Sequence, residues 1–273
     1  MKINFLGVGE AFDSDLTTTS IAIESSGKVL LVDAGYSAPS PVFKKYPDAE
    51  SIDYIYFTHW HADHLFGLPA ILTRWWEENR KKELVIIGQS GTEKFVKDLL
   101  DLAYPGVSWD YAGKFTDKIG QKPDASEGGL RKPHFKISFV EAEISTNIGP
   151  FALFFAPTTH VRKNLAVRVN VSENNLSKSF GFSGDGDFTD QSRELFRNID
   201  FLAHETYLLN DKILGHGCVE DAIHTAEQVQ VKKLALIHIN RNTRKNEMDK
   251  IQKMMQQAKT EIIVPQPGEL YEI

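Results

Sequence analysis

The run His59-Trp60-His61-Ala62-Asp63-His64 decides how the rest of this sequence is interpreted. It follows a predicted strand, Ile52–Thr58, and comes before a predicted helix that starts at Leu65. Four side chains of metal-binding type thus fall within six residues, on a turn where they can converge. Imidazole and carboxylate ligands suit zinc, manganese or ferrous iron, and the lack of thiolates argues against a structural zinc site. The run therefore predicts a catalytic metal centre.

Further candidate ligands lie where other predicted strands end. They are His160, Asp185 and His238, which follow the predicted strands Phe151–Ala156, Ser179–Phe182 and Leu234–Ile237. Taken singly, each of these side chains is more simply interpreted as a hydrogen-bonded turn residue than as a metal ligand. Beside the six-residue run they bring the ligand set to about the number that two metals need. The sequence therefore predicts a dinuclear site.

Composition and charge limit the class of protein. The 273 residues are 41% hydrophobic and 25% charged, which fits one globular domain over residues 1–273. The sequence has no run of about 20 apolar residues, so no membrane span is predicted. Cys218 is the single cysteine and the N-terminus does not resemble a signal peptide, which favours a cytoplasmic location. The net charge of −6 argues against a long nucleic acid as the partner.

The order of predicted elements indicates the fold class. Predicted strands are Lys2–Leu6, Ser20–Glu24, Val29–Asp33, Tyr54–Phe57, Leu84–Gly88, Lys136–Ala142, Phe151–Ala156, Leu165–Val171, Ser179–Phe182, Phe201–His204, Leu234–Ile237, Ile262–Val264 and Leu270–Glu272. Predicted helices are Leu65–Asn79, Thr92–Leu102, Asp190–Arg197, Glu220–Val229 and Glu247–Ala258. Clustered strands with interspersed helices favour an α/β (α+β) protein with two sheets covered on their outer faces. The weakly patterned stretch Pro105–His134 is predicted to be a lid or loop insertion.

Several short motifs resemble one known superfamily. In chain order they are Asp33, His59–His64, Gly67-Leu68-Pro69, His160 with Val167-Arg168-Val169, Ser183-Gly184-Asp185, His204-Glu205-Thr206, Gly215-His216 and His238. With these motifs the chain resembles the metallo-β-lactamase fold superfamily, and within it the ribonuclease Z-like phosphodiesterases. The resemblance covers nearly the whole chain.

The resemblance implies a four-layer αβ/βα sandwich with two divalent metal ions at one edge, zinc before manganese or iron. The implied ligands are His59, His61 and His160 for the first metal, Asp63, His64 and His238 for the second, and Asp185 as the bridge. Asp33 would support the ligands from behind.

The resemblance also implies a reaction. A metal-bridging hydroxide would attack a phosphodiester, with Asp63 orienting the nucleophilic water as well as binding metal. By analogy with the branch, His216 would protonate the leaving oxygen and Glu205 would orient His216. The alternative role for His216 is to cap the helix Glu220–Val229. The alternative for His204 and Glu205 is to support the site without taking part in the reaction.

The chain departs from the branch at several positions. Gly217-Cys218 and Gly186 replace the expected Ser-Thr and Thr, and Asn240-Arg241 alters the segment after the last histidine. Above all, the interval between His160 and Asp185 holds two short strands, with no room for the basic arm that grips transfer RNA in bacterial ribonuclease Z. These departures favour a small or cyclic nucleotide-type diester as the substrate. Arg162, Lys163 and Arg241 would then hold its phosphate, or lie as solvated surface charges.

Other functions fit the same residues. A carboxyl-bond hydrolase, such as a lactonase or thioesterase, would use the same metals without a leaving-group acid. A transfer-RNA 3′ endonuclease and a non-catalytic metal-binding accessory protein are the remaining alternatives. A homodimer is expected only by analogy with the branch.

Overall fold

The computed structural model describes residues 1–105, 107, 109–111, 135–143, 145–173 and 176–273. The strands of these residues are β1 (Lys2–Gly7), β2 (Ser20–Ser25), β3 (Lys28–Val32), β4 (Tyr54–Phe57), β5 (Leu84–Gly88), β6 (Asp110–Tyr111), β7 (Lys136–Glu141), β8 (Ser145–Ile148), β9 (Phe151–Pro157), β10 (Leu165–Glu173), β11 (Leu176–Phe182), β12 (Phe201–Glu205), β13 (Lys233–Ile237), β14 (Glu261–Ile263) and β15 (Leu270–Glu272). The helices are α1 (Pro39–Lys45), α2 (Ala62–Leu65), α3 (Leu68–Glu77), α4 (Thr92–Ala103), α5 (Asp190–Leu195), α6 (Val219–Gln228) and α7 (Arg241–Gln257). None of the helices in these ranges is long and apolar enough to cross a bilayer.

The strands form two sheets. The first has the order β15-β1-β2-β3-β4-β5-β7-β6, and the second has the order β14-β13-β12-β11-β10-β9-β8. In the first sheet β3, β4 and β5 run parallel to one another, and in the second β11, β12, β13 and β14 do so. The carboxyl ends of these parallel strands lie at one edge of each sheet, where open α/β sheets usually bind ligands.

Three apolar layers hold the sheets and helices together. Ile3 and Phe5 of β1 pack with Val167 and Phe180 of the second sheet in the layer between the two sheets. Outside the first sheet, a second layer packs its outer side chains against α1, α3 and α4. Outside the second sheet, a third layer packs against α6 and α7, where Ile251 is fully buried. The helix–sheet–sheet–helix order confirms the four-layer α/β sandwich expected from the sequence.

The structure corrects several element boundaries. The single helix expected over Leu65–Asn79 is two helices, α2 and α3, because Gly67 and Pro69 interrupt the first turn. Helix α7 begins at Arg241, six residues before the expected start, because the Asn240 side chain accepts hydrogen bonds from two backbone amides of the first turn. Helix α1 and strand β8 were absent from the sequence prediction.

The expected insertion at 105–134 lies mostly outside the described residues. Of this stretch, Asp110–Tyr111 form β6, which pairs in parallel with β7. Its role as a lid, and the assignment of residues 1–273 to one domain, stay predictions.

Candidate metal centre

The candidate ligands meet where strands of both sheets end. His59 and Asp33 follow β4 and β3 of the first sheet, while Asp185 and His238 follow β11 and β13 of the second. His160 follows β9, which runs in the same direction as β11 because β10 is antiparallel to both. The site therefore lies across the gap between the sheets, on side chains that a rigid scaffold positions.

Two glycines allow the turn that carries Asp63 and His64 to pack closely. The amide of Ala34 donates to the carbonyl of His64 at 2.7 Å, and the amide of Gly67 donates to the carbonyl of Ala34 at 2.9 Å. A Cβ at Gly35 would lie 1.8 Å from the carbonyl oxygen of Asp63. Any side chain at this position would push the turn away from the segment after β3, and the His-Asp run would lose its backing.

A first cluster joins His59, His61, His160 and Asp185. The Nδ1 atom of His61 lies 3.1 Å from Nε2 of His59 and 3.1 Å from Nε2 of His160. Burial lowers the pKa of all three imidazoles, most strongly that of His59. Neutral imidazoles whose nitrogens face one another are suited to share a cation.

A second cluster joins Asp63, His64, Asp185 and His238. The Nε2 atom of His64 lies 3.2 Å from a carboxylate oxygen of Asp63 and 3.2 Å from one of Asp185. The Nε2 atom of His238 lies 3.4 Å and 3.5 Å from the same two carboxylates. Asp185 belongs to both clusters, which is the geometry expected of a bridging residue.

The donor set of these clusters fits divalent cations. Among the described residues, no hydrogen bond of good geometry reaches His64 Nε2 or Asp185 Oδ1, although both atoms are buried and lie 3.2 Å apart. This arrangement is costly unless another group binds them. Burial alone would lower the pKa of His238, but the carboxylates of Asp185 and Asp63 raise it to about 9. Burial alone would raise the pKa of Asp185, but His238 and His64 hold it well below its usual value. Excess carboxylate charge at convergent atoms favours a cation at this place.

Neighbouring groups fix the orientation of the candidate ligands. Asp33 accepts from the Thr58 amide at 2.9 Å, from the Thr58 hydroxyl at 2.8 Å and from His64 Nδ1 at 2.7 Å. The carbonyl of Gly215 similarly lies 2.7 Å from His160 Nδ1. Each bond leaves the opposite ring nitrogen pointing into the site, as is usual for histidines that bind metals. Asp33 therefore lies where the resemblance placed a supporting acid.

His216 lies beside both clusters and is held by Glu205. Its Nδ1 atom is 2.6 Å from Oε1 of Glu205, whose other oxygen accepts from the amide of Gly217 at 2.7 Å. Glu205 is fully buried, while the His216 ring is partly exposed and lies against the rings of His160 and His238. Burial alone would lower the pKa of His216, but the hydrogen bond to Glu205 raises it. His216 is therefore stabilised in its protonated form.

His204 has a different position from its neighbour Glu205. Its ring stacks on Phe188 with centroids 3.9 Å apart, and burial lowers the pKa of His204 to about 4. His204 belongs to neither metal cluster among the described residues. Its Nδ1 atom lies 2.6 Å from the carbonyl oxygen of Glu205, so the ring packs beside the residue that holds His216.

The structure explains one departure from the branch pattern. Gly186 has a φ of 102°, and a Cβ there would lie 2.7 Å from the amide nitrogen of His160. A larger residue in this conformation would displace His160 from the first cluster. The exchange of Thr for Gly at this position thus matches the local backbone.

The charged residues predicted near the site differ in their surroundings. Burial lowers the pKa of His61, and the charge of Arg162 acts in the same direction, so Arg162 lies within electrostatic reach of the first cluster. Arg241 donates to the buried carboxylate of Glu10 at 2.7 Å. Lys163 is exposed, and its carbonyl accepts a hydrogen bond from Gln89.

Three residues that support the site were not identified from the sequence. Thr58 contacts both Asp33 and His59, and Tyr207 stacks on His216 with centroids 4.6 Å apart. Asn164 is buried, donates to the carbonyl of Ser183 at 2.8 Å and accepts from the amide of Asp185 at 3.3 Å. For two of them the sequence held a signal. Thr58 directly precedes the predicted ligand His59, and Asn164 lies between the predicted ligands His160 and Asp185.

The chain is similar in sequence to known proteins. Residues 1–106 match the family model described as anti-Pycsar protein Apyc1. Ribonuclease Z of Bacillus subtilis is 25% identical over 88% of this chain and 88% of its own length. Ribonuclease Z of Methanocaldococcus jannaschii is 27% identical over 93% of this chain and 90% of its own length.

Solved structures show the same fold. The metallo-β-lactamase fold protein YhfI of Bacillus subtilis superposes with a TM-score of 0.77 at 20% identity, over 100% of this chain and 99% of its own. The short form of human tRNase Z gives 0.71 at 20% identity, with the same coverage of 100% and 99%. Zn²⁺-bound PqqB of Methylobacterium extorquens gives 0.69 at 12% identity, over 100% of both chains.

The fold is that of the metallo-β-lactamase fold proteins. The convergent His and Asp side chains and the ribonuclease Z relatives together support a metal-dependent hydrolase. Within that superfamily, the ribonuclease Z relatives confirm the predicted resemblance to the ribonuclease Z-like branch.

Proposed function

We propose that this protein is a dinuclear zinc phosphodiesterase that acts on a small or cyclic nucleotide-type diester. The observation that carries the proposal is the pair His216–Glu205, which lies beside both clusters with a 2.6 Å bond between the side chains. Zinc is the proposed metal because the ligands are imidazoles and carboxylates in a compact set.

In this proposal the candidate ligands divide into two sets around one bridge. His59, His61 and His160 would hold one cation and Asp63, His64 and His238 the other, with Asp185 between them. When bound, the cations would lower the pKa of a water molecule and polarise the phosphoryl group. Asp63 would also accept a hydrogen bond from that water and so orient it.

His216 would then donate a proton to the leaving oxygen. Glu205 would hold the ring through Nδ1, so that the proton would be donated from Nε2 on the opposite side of the imidazole. An alkoxide is a poor leaving group without a proton, whereas the thiolate of a thioester is a weaker base and leaves without one. An acid at this position therefore favours phosphodiesters over thioesters.

The short interval between His160 and Asp185 bears on the size of the substrate. Strands β10 and β11 account for most of it and pair in register from Val167 with Phe182 to Glu173 with Leu176. A hairpin of this length leaves no segment for an extended basic arm. Together with the net charge of −6, this favours a small diester over a folded RNA.

The direct test is hydrolysis of bis-p-nitrophenyl phosphate by protein loaded with zinc or manganese. Turnover that disappears on chelation and returns with metal would support the proposal. A fully loaded protein that hydrolyses lactones or thioesters but no phosphodiester would contradict it.

The role of His216 can be tested through the leaving group. The substitution His216→Asn removes the acid, so the rate should fall about 100-fold or more for a diester with an alkyl leaving group. The fall should be much smaller for p-nitrophenolate, which leaves without a proton. Metal content should stay unchanged, and equal losses on both substrates would mean that His216 is not the acid.

A second candidate function is endonucleolytic cleavage of transfer-RNA precursors at the 3′ side. It is favoured by the ribonuclease Z relatives, which cover about nine-tenths of the chain. Incubation of the loaded protein with a precursor transfer RNA, beside a cyclic nucleotide, would separate the two. The homodimer and the cytoplasmic location stay predictions, and sedimentation would test the first.

A further inference from the structure

We propose that the loop 10–17 is the base-binding side of the substrate site, with Phe12 as the aromatic surface on which a nucleobase stacks. The proposal rests on the proposed function, because it assumes a nucleotide-type diester. It adds a specificity-determining residue that is not among the predicted ligands or catalytic groups.

The loop starts directly beside a candidate metal ligand. The amide of His238 donates to the carbonyl of Val8 at 2.8 Å, and Gly9 forms an isolated bridge with Ile239. Strand β1, which leads into the loop, runs in the same direction as β3 because β2 is antiparallel to both. The loop therefore emerges at the same edge of the sheet as Asp33 and His59.

Side-chain contacts hold the loop against the elements that carry the second cluster. Arg241 donates to Glu10 at 2.7 Å and Arg244 donates to Asp13 at 2.5 Å, and both arginines lie on the first turn of α7 just after His238. On the other side, the hydroxyl of Tyr36 donates to the carbonyl of Ala11. The amide of Tyr36 donates to the carbonyl of Ala62, next to Asp63.

The stem of the loop is tightly packed. The amide of Gly9 donates to the carbonyl of Thr17 at 2.8 Å. A Cβ at Gly9 would lie 2.8 Å from Cβ of Leu16, so the two sides of the stem can pack this closely only because residue 9 is glycine. Within the loop, the carboxylate of Asp13 accepts from the amides of Asp15 and Leu16. These bonds stabilise this conformation of the loop from within.

Phe12 remains in solvent although its loop is fixed. Its side chain is 73% exposed, and nearby Tyr36 is 50% exposed. The guanidinium of Arg241, which pairs with Glu10, lies 5.9 Å from the Phe12 ring centroid and helps to position the ring. An exposed ring on a loop held beside the candidate metal ligands matches the stacked base of a nucleotide whose phosphate lies at those ligands.

Two substrates with one leaving group test the proposal. They are thymidine 5′-p-nitrophenyl phosphate and methyl p-nitrophenyl phosphate, which differ in having a nucleoside or a methyl group. With metal-loaded protein, Phe12→Ala should raise KM for the thymidine diester about tenfold. It should leave kcat/KM for the methyl diester within about twofold of the wild-type value. Phe12→Trp keeps an aromatic ring, so its KM for the thymidine diester should equal that of the wild type.

The matched control is Phe154→Ala, which removes an exposed phenylalanine from β9. This variant should change neither KM nor kcat/KM for either diester. Equal effects of Phe12→Ala on both diesters, or no effect on either, would overturn the proposal.

Equilibrium binding separates a failure here from a failure of the proposed function. Thymidine 5′-phosphate is titrated into the metal-loaded protein by calorimetry, which needs no turnover. Binding about tenfold weaker in Phe12→Ala would support base stacking on Phe12 even if neither diester were hydrolysed. The lack of hydrolysis would then count only against the proposed phosphodiesterase activity. Unchanged binding in Phe12→Ala would overturn the proposal that a base stacks on Phe12.

Discussion

Asp33 shows how much a single side chain outside the ligand set can determine. Its backbone has a φ of 56°, a left-handed conformation that is uncommon for any residue except glycine. His238 adopts a similar φ of 55°. Strained backbone of this kind clusters at functional sites, where the surrounding structure enforces it. At Asp33 this backbone accompanies the contacts of the carboxylate with Thr58 and His64.

The substitution Asp33→Asn should weaken metal binding at the second cluster. An amide nitrogen would face donors that the carboxylate now accepts from, so His64 would lose its fixed orientation. Loss of such a partner typically costs about 10- to 100-fold in metal affinity. Competition with a chromophoric zinc chelator would measure this, with Asp53→Asn as a control on the same sheet. Unchanged affinity in Asp33→Asn would remove its supporting role.

The side chains of the site were only partly predictable from the sequence. The six-residue run and the histidines after strands are visible because their spacing and residue types are unusual. Thr58 and Tyr207 are ordinary residue types, and their contacts arise only when the fold brings them beside His59 and His216. Phe12 is the extreme case, because its loop is held by arginines 231 residues away.

Among the elements, those with strong apolar patterns were predicted well and short or polar ones were not. Strands β4 and β5 match their predicted bounds because each is a short apolar run between polar residues. Helix α1 was missed because it has seven residues, includes two prolines and buries Val42 alone. The early part of α7 is polar and lacks a buried stripe, so the hydrophobic pattern could not show its start.

Asp53, which directly precedes β4, connects β3 with the segment before β5 and makes this association dependent on pH. Its carboxylate accepts from the amide of Val29 at 3.0 Å and pairs with Lys28 at 2.9 Å and Lys82 at 2.6 Å. Burial alone would raise the pKa of Asp53, but the two lysines hold it below its usual value. A group with a lowered pKa in the folded state stabilises the fold above its unfolded pKa of about 3.9. That contribution is lost as pH falls through the folded value.

Asp53→Asn should therefore lower the free energy of unfolding by about 1–3 kcal/mol at pH 7. The difference from the wild type should stay constant between about pH 8 and pH 5 and shrink below about pH 4. Urea unfolding at several pH values would measure it. A difference that did not change with pH would show that the charge of Asp53 contributes nothing.

For the molecule as a whole, the candidate centre joins its two sheets. The six-residue run comes from the first sheet, while His160, Asp185 and His238 come from the second. Bound cations would therefore act as links between halves that are otherwise held by the apolar layer between them.

Removal of metal should lower the stability of both halves together. At free metal 100 times above the dissociation constant, binding stabilises a protein by about 2.7 kcal/mol. Chelation should therefore lower Tm measurably, and the melting should follow the free metal concentration. The double variant His61→Asn, His238→Asn should melt at the same temperature with or without chelator. A wild-type Tm unaffected by verified metal loss would contradict the link between the sheets.

The distance along the chain between the ligands has a consequence for how the protein matures. His238 follows Asp63 by 175 residues, although their side chains lie 3.4 Å apart. During synthesis the His59–His64 run leaves the ribosome long before its partners, so an early cation meets only four of the seven candidate ligands. Contacts of such long separation form late in folding. We therefore expect a cation to be bound tightly only in the final step, after the second half of the chain has packed on the first.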